Sequence, residues 1–261
     1  VSPRALPPPE VVERLRAAGC VFAEDEARLL VEAAATPAEL EHLLALRTSG
    51  LPLEQVLGWV EFAGLRITVR PGVFVPRRRT GLLVQRAARL LRPGAVVVDL
   101  CCGTGAVGAA LLTGEPALTL YAVDIDPAAT ACARDNVEPL GGSVFTGDLF
   151  SPLPPALLGH VDLVVANAPY VPTGAIARMP REARLHEARI ALDGGADGLE
   201  VQRRLVATAP DWLAPGGTLL VETSAAQAAQ TASIFARHGL TPRVVHSRKL
   251  DATVVIGIRS A

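Results

Sequence analysis

The run Asp99-Leu100-Cys101-Cys102-Gly103-Thr104-Gly105 constrains this chain more than any other stretch of its sequence. An apolar, β-branched segment, Ala95 to Leu100, stops there, and a segment of helical character begins behind Gly105. A strand that ends in a glycine loop and turns into a helix lets backbone approach a ligand at the strand's carboxyl edge. The alternation then continues on both sides of the loop. An amphipathic Leu82 to Leu91 precedes it, and behind it come a strand Leu118 to Val123 and a helix opened by Asp126-Pro127. Strands at Val144-Phe145 and Val161 to Ala166, a helix near Leu199 to Leu213, a strand Gly217 to Glu222 and a helix Ala225 to His238 follow. This pattern predicts a mostly parallel sheet covered by helices on both faces. Too few residues join Arg243 to Ser247 with Thr253 to Ile258 for a crossover helix, so the last pair is expected to be antiparallel.

Upstream, residues 10 to 50 read as helical. Val11, Val12 and Leu15 form one apolar stripe, Ala27 to Ala35 another, and Thr36-Pro37-Ala38-Glu39 is a capping box. Residues 55 to 75 change to β-branched and aromatic composition around Gly58, Gly64 and Gly72, which predicts a hairpin closed by Pro76. The expected organisation is a helical cap over 1–54, a hairpin connector over 55–76 and a ligand-binding α/β domain over 77–261.

A chain that is 50% hydrophobic and 20% charged can bury a substantial core. Its net charge of -1 gives no global footprint for nucleic acid or an anionic membrane. Cys20, Cys101, Cys102 and Cys132 lack the CxxC spacing of zinc or redox sites, and the histidines are scattered, so no metal is expected. Cys101 and Cys102 read as small packing residues. No apolar run of about 18 residues is present to span a bilayer, and the start, Val1 to Glu10, is proline-rich where a signal peptide is apolar. A cytoplasmic protein without membrane contact is the expectation.

Gly103-x-Gly105-x-x-Gly108 also spells the dinucleotide fingerprint, with Asp124 placed to take a ribose hydroxyl. On that motif alone NAD and S-adenosylmethionine are hard to separate. Two features tilt toward the second. A carboxylate at the strand tip, Asp99, suits a cationic methionyl ammonium better than a diphosphate, and Gly147-Asp148-Leu149 after the next strand but one can accept from an adenine amino group. The alternative is that Asp99, Asp124 and Asp148 cap helices or turns. Against it, all three fall at the carboxyl ends of successive expected strands, where ligands bind in such sheets.

Behind the strand Val161 to Ala166 stands Asn167-Ala168-Pro169-Tyr170, which sets a primary amide, backbone carbonyls and an aromatic face at the same edge. An amide nitrogen is a poor nucleophile because its lone pair is delocalised. A catalyst must hold it in line with the group to be transferred and accept hydrogen bonds from its N–H groups. The Asn167 oxygen and the Ala168 carbonyl supply such acceptors, and Pro169 biases Ala168 away from helical backbone. The commoner origin of such a tetrapeptide is an ordinary turn.

These residues resemble the HemK/PrmC-type protein-glutamine methyltransferases, which modify the Gly-Gly-Gln glutamine of peptide-chain release factors. The resemblance runs over roughly residues 50 to 259. Leu57-Gly58, Glu61 to Leu65 and Pro71 to Arg77 resemble the family's connector, Ala122-Val123-Asp124-Ile125 its ribose-binding strand, and Glu187 to Gly195 with Gly198-Leu199 its downstream loop. It implies a class I, Rossmann-like methyltransferase fold, S-adenosylmethionine as donor with S-adenosylhomocysteine as product, and a protein substrate docking on the cap and hairpin. By that resemblance Asp99, Cys101, Gly103, Thr104, Gly105, Asp124, Ile125, Asp148, Leu149 and Asn167 face the cofactor. Asn167, Ala168, Pro169 and Tyr170 form the amide pocket, Arg77, Thr80 and Glu187 lie on the substrate side, and Glu187 is a candidate proton acceptor.

Several positions depart from the family pattern. Ala168 replaces the first proline of Asn-Pro-Pro-Tyr, Arg78 and Arg79 replace a Pro-Glu pair, Gly81 replaces a glutamate, and Cys101 replaces the first loop glycine. The cap is also shorter than the family's. Alternative acceptors are a nucleobase exocyclic amine, with Tyr170 stacking on a flipped base and Arg77 to Arg79 touching phosphates, or a small-molecule amide or amine. A binding module that keeps the cofactor without catalysis is the non-enzymatic alternative.

Overall fold

A computed structural model describes residues 7–260; Val1 to Leu6, and with them most of the proline-rich start, lie outside the described residues. Three helices come first: α1 (Pro9–Ala17), α2 (Ala23–Ala33) and α3 (Pro37–Thr48). They bury Val11, Val12, Leu15, Ala27, Leu30 and Leu44 in a small core of their own. At the start of α3, Thr36 accepts from the Glu39 N–H while the Glu39 carboxylate reaches the Ala35 N–H rather than that of Thr36. A short α4 (Leu53–Leu57) follows, so Gln55 to Leu57 are helical and not part of the expected hairpin. Pro52 starts that helix and left-handed Gly58 ends it, a local stop stronger than β-propensity. The hairpin is β1 (Trp59–Phe62) against β2 (Leu65–Thr68), antiparallel with Trp59 opposite Thr68.

The remaining elements are α5 (Gly81–Ala88), β3 (Val96–Leu100), α6 (Ala106–Gly114), β4 (Thr119–Asp124), α7 (Pro127–Val137), β5 (Ser143–Thr146) and β6 (Val161–Ala166). Then come α8 (Arg181–His186), α9 (Glu200–Trp212), β7 (Leu213–Thr223), α10 (Ala228–Arg237), β8 (Leu240–Ser247) and β9 (Ala252–Arg259). Seven strands form one sheet in the order β5-β4-β3-β6-β7-β9-β8. All pair in parallel except β9, which runs antiparallel to both β7 and β8, as its short connection requires. The fold is a Rossmann-like methyltransferase fold with an antiparallel last strand.

Successive strand residues feed opposite faces. Val97, Leu120, Ala122 and Val165 belong to one core cluster, and Val98, Leu100, Val123 and Val164 to the other. Burial on both sides is why these strands read as continuous apolar runs. From β3 the chain order moves outward through β4 to one side and through β6 to the other, so the carboxyl ends of β3 and β6 flank the topological switch point.

The hairpin docks on α7: Asn136 gives its amide nitrogen to the Thr68 carbonyl and takes the Thr68 N–H in return. The cap is anchored through Arg47, only 7% exposed, which holds Glu26 in two bonds, the Leu51 carbonyl, and Glu182 of α8 at 2.6 Å. Gln55 adds a bond to the His186 carbonyl. The segment running over the sheet's carboxyl edge is thus tied to the cap. Among the described residues no helix is long and apolar enough to cross a membrane.

Candidate active site

Leu100 ends β3, and the chain curls back through left-handed backbone at Cys101 (φ 54), Gly103 (φ 56) and Gly105 (φ 74). The curl is pinned by Cys102 N–H to the Val123 carbonyl, Gly105 N–H to the Cys102 carbonyl and Gly103 N–H to Asp124 at 2.8 Å. Cys101 therefore stands where the backbone favours glycine. Gly105 has a second reason to be bare: a Cβ there would lie 2.6 Å from Val137 Cγ2, so its absence lets the start of α6 press against α7. Gly105 consequently packs behind the loop, while Asp99, Cys101, Cys102, Gly103 and Thr104 of the motif reach the cavity. The four cysteines are unpaired, and all but Cys101 are buried. Among the described residues no three metal-capable side chains gather.

A cavity opens above this loop, lined on its floor by Asp99, Cys101 and Gly103 and on its sides by Asp124, Ile125 and Asn167 to Val171. Asp99, 1% exposed, lines its floor and accepts the Gly108 N–H at 2.9 Å. Burial pushes its carboxyl up to about 7, with the Gly108 bond opposing and Asp124 adding. Asp124, at the tip of β4, also lines the cavity and accepts the N–H groups of Gly103 and Asp126. Burial raises its pKa as well. Beside it Ile125, 46% exposed, also lines the cavity, an apolar ledge next to a hydroxyl acceptor.

The structure does not bring every expected cofactor residue to this space. Asp148 and Leu149 are absent from the cavity wall; the Asp148 carboxylate is engaged by Arg204 of α9. That surface pairing occupies the group expected to meet an adenine amino group.

On the opposite wall stand Asn167, Ala168, Pro169 and Tyr170, continuing from β6. Asn167 Nδ2 donates to Thr80 Oγ1 at 3.3 Å. The Tyr170 carbonyl accepts Gln227 Nε2, which also bonds the Asp197 carbonyl. Gly198 stands so close that a Cβ there would meet the Tyr170 carbonyl at 2.3 Å. Val171 is stitched to Leu192 and Gly194 by backbone bonds, and the strap carrying Ile190, Ala191 and Leu192 closes one side of the cavity. The arginine run divides its work. Arg77 binds Glu187 at 2.5 Å and lies 4.9 Å over Phe74, Arg79 sits over the Tyr170 ring and 3.5 Å from Glu222, and Arg78 is exposed.

Glu187 departs from its expected role. Its side chain is fully buried beneath Arg77, accepts the Val75 N–H and does not line the cavity. Both contacts fall on Oε1, which braces the 71–77 segment, while Oε2 is buried without a hydrogen-bond partner and burial raises the pKa of the group. The acidic residue that sequence reading passed over is Glu222, at the end of β7. Among the described residues it is the only buried carboxyl with neither oxygen hydrogen-bonded. Burial raises its pKa, while the Arg79 guanidinium 3.5 Å away favours its ionised form. The rule that singled out Asp99 and Asp124, an acid at a strand's carboxyl end, applies to Glu222 as well.

Asp124 beside an exposed apolar ledge, open space at Gly103 where a Cβ would meet nothing within 4 Å, and buried Asp99 fit a nucleoside bearing a positive charge. Facing them across the cavity is a wall of hydrogen-bond acceptors and an aromatic ring. Such a site can hold a charged group donor on one side and a nitrogen acceptor on the other.

Comparison with known proteins agrees. Residues 64–197 match the family model described as "Methyltransferase small domain". The chain is 40% identical over 227 residues to a release factor glutamine methyltransferase of Mycolicibacterium smegmatis, covering 82% of this chain and 80% of the relative. It is 35% identical over 210 residues to a 4-amino-L-phenylalanine/4-methylamino-L-phenylalanine methyltransferase of Streptomyces pristinaespiralis, covering 78% and 71%. Among solved structures, a methyltransferase of Pyrococcus furiosus superposes with a TM-score of 0.56 at 17% identity, over 76% of this chain and 90% of that one.

Proposed function

The chain belongs to the release factor glutamine methyltransferase family, and from that premise we propose that it methylates the side-chain amide of a protein glutamine, the Gly-Gly-Gln glutamine of a peptide-chain release factor. The observation that carries the reading is the Asn167-Ala168-Pro169-Tyr170 wall, anchored by Thr80, facing the Asp99 and Asp124 side of one cavity. S-adenosylmethionine would supply an electrophilic methyl group on a sulfonium. The chain's residues do the rest. Asp124 and Ile125 would hold the nucleoside, and Asp99 the cationic end. The Asn167 oxygen and the Ala168 carbonyl would accept the two amide N–H groups and so orient the nitrogen lone pair toward the methyl. Ala168 acts through its backbone, so loss of the family's proline leaves that acceptor in place, and Tyr170 packs beside the amide. As the nitrogen–methyl bond forms the methyl–sulfur bond would break, S-adenosylhomocysteine would leave, and one amide proton would pass to solvent after transfer; Glu187, held by Arg77, takes no proton in this scheme, and no metal enters it. The acceptor protein would meet the enzyme in the cytoplasm.

A second reading has one specific observation behind it: the 35% identical relative named for an aromatic amine of an amino acid. Arg79, a half-exposed cation over Tyr170, suits an acceptor that carries a carboxylate. Labelled S-adenosylmethionine with release factor, with 4-aminophenylalanine and with tRNA separately, followed by mass mapping, divides the readings. One methyl on the Gly-Gly-Gln glutamine supports the first. Transfer to the free amino acid alone replaces it with the second.

A further inference from the structure

We propose that Arg79 is a specificity-determining residue: at the mouth of the cavity it binds a carboxylate of the methyl acceptor, and so selects acceptors that carry one. This rests on the N-methyl-transfer reading of the site and adds a feature that the acceptor must have. The carboxylate belongs either to a free amino acid or to an acidic side chain beside the methylated residue of a polypeptide.

The three consecutive arginines are not equivalent. Arg78 lines neither the cavity nor the groove beside it. Arg77 lines both, but Glu187 takes its Nη2 at 2.5 Å and its guanidinium lies over Phe74. Arg79 also lines both, 47% exposed and 5.9 Å over the Tyr170 ring of the acceptor wall. Among the described residues no hydrogen bond engages its guanidinium. The groove, lined besides by Met179, Pro180, Ala183, Leu250 and Asp251, joins the cavity at Arg77, Arg79 and Met179. An acceptor that reaches Tyr170 from the groove passes Arg79.

The competing account is that Arg79 stands there only to neutralise Glu222, which is 1% exposed. The geometry of the pair argues against it. Its nearest approach is Nε to Oε1 at 3.5 Å, with no hydrogen bond to either Glu222 oxygen. Arg47, a guanidinium that does serve a buried carboxylate, grips Glu26 through two bonds of 2.6 and 3.1 Å. With Glu222 nearest Nε, the two terminal nitrogens of Arg79 stay unengaged, and a planar pair of N–H donors matches a carboxylate with two parallel bonds. The acids of the groove itself do not fill that place. Glu182 is bound to Arg47, and among the described residues no ion pair joins Asp251 to Arg79. Residue order points the same way: Arg79 stands where the family pattern carries a glutamate, and Gly81 removes a second one. The charge this mouth offers an acceptor is therefore reversed.

Full-length wild type, R79Q, R79K and the double variant R79Q/E222Q test this with acceptors in pairs that differ only in charge. One pair is 4-aminophenylalanine and its methyl ester. The other is a Gly-Gly-Gln peptide flanked by glutamates and the same peptide with those glutamates as γ-methyl esters. The wild type is expected to favour the acid member of one pair about 10- to 100-fold in kcat/KM, through KM, as for a charge-assisted pair of bonds. The pair that shows it identifies the source of the carboxylate. R79Q should abolish the preference and R79K keep part of it, with the S-adenosylmethionine KM unchanged in both. The double variant leaves no buried charge unpaired, so it remains available where R79Q fails to fold. It also separates the two accounts. A guanidinium that only neutralised Glu222 is dispensable once Glu222 is gone, and the preference would return; a carboxylate receptor leaves the double variant without one. Equal use of acid and ester in both pairs, or a wild-type preference in the double variant, overturns the inference. A wild type that binds S-adenosylmethionine and methylates no acceptor overturns the functional reading instead. Calorimetric binding of the same pairs to protein loaded with S-adenosylhomocysteine then decides the role of Arg79, and equal affinities or no binding overturn it.

Discussion

Asn167 and Thr80 meet across 3.3 Å although 87 residues separate them in the chain. The bond joins the tip of β6 to the turn before α5 and fixes the one side-chain amide on the acceptor wall. Replacing Asn167 with Ala is expected to reduce kcat by about 100-fold or more, as for removal of an oriented transition-state contact. Cofactor affinity, measured by calorimetry, should stay within about threefold of wild type. A variant with full activity would remove Asn167 from the mechanism.

Asp99 carries a pH signature. Its folded pKa of about 7 exceeds the ordinary carboxyl value of 3.8. The folded state therefore retains a proton that the unfolded chain has released, so this group's stabilising contribution is complete below about pH 4 and is lost as pH rises through 7. The slope it adds between those limits approaches about 1.4 kcal/mol per pH unit. Asp124, Glu187 and Glu222, also pushed up by burial, act in the same direction. Denaturant unfolding at a series of pH values should accordingly show a shallower decline for Asp99→Asn than for wild type, and parallel curves would refute the assignment.

The loop tolerates no side chain at Gly105. Its φ of 74 costs an alanine about 1–2 kcal/mol. The 2.6 Å approach to Val137 adds overpacking of about 1–3 kcal/mol. Gly105→Ala is therefore expected to lower stability by several kcal/mol, visible as a fall in denaturation midpoint at unchanged m-value.

Arg47 is the clamp between cap and site. Removing it leaves Glu26 buried without its cation, and breaking a buried pair in this way costs about 3–5 kcal/mol. Arg47→Ala should lose most of that amount in equilibrium unfolding. Arg47→Lys should recover only part, because an ammonium cannot serve Glu26, the Leu51 carbonyl and Glu182 with the guanidinium's fork. An Arg47→Ala protein as stable as wild type would show the clamp to be ornamental.

Much of the molecule was legible from residue order. The strand ends at Asp99, Asp124 and Asn167 could be placed because each follows an apolar run, and parallel strands put their carboxyl ends on one edge. The capping box at Thr36 and the Asp126-Pro127 start of α7 are local and were equally readable. The positional rule says which edge Asp148 reaches but not what else reaches it: its partner Arg204 comes from α9, far along the chain. The pairing of Glu187 with Arg77, 110 residues apart, is likewise invisible to local pattern. Gln55 to Leu57 were misassigned because a Pro-started, Gly-ended turn of helix overrides the composition of so short a segment.

Residue order alone set the period of the main strands and helices, the glycine loop, and the Asn167-Ala168-Pro169-Tyr170 turn, since each depends on neighbours a few positions away. The packing of distant elements set the rest: Thr80 against Asn167, Gln227 and Gly198 around the Tyr170 carbonyl, and Arg47 between the cap and α8. Hydrogen bonds and charge pairs have short range, and which distant groups come within it depends on how all the elements pack together.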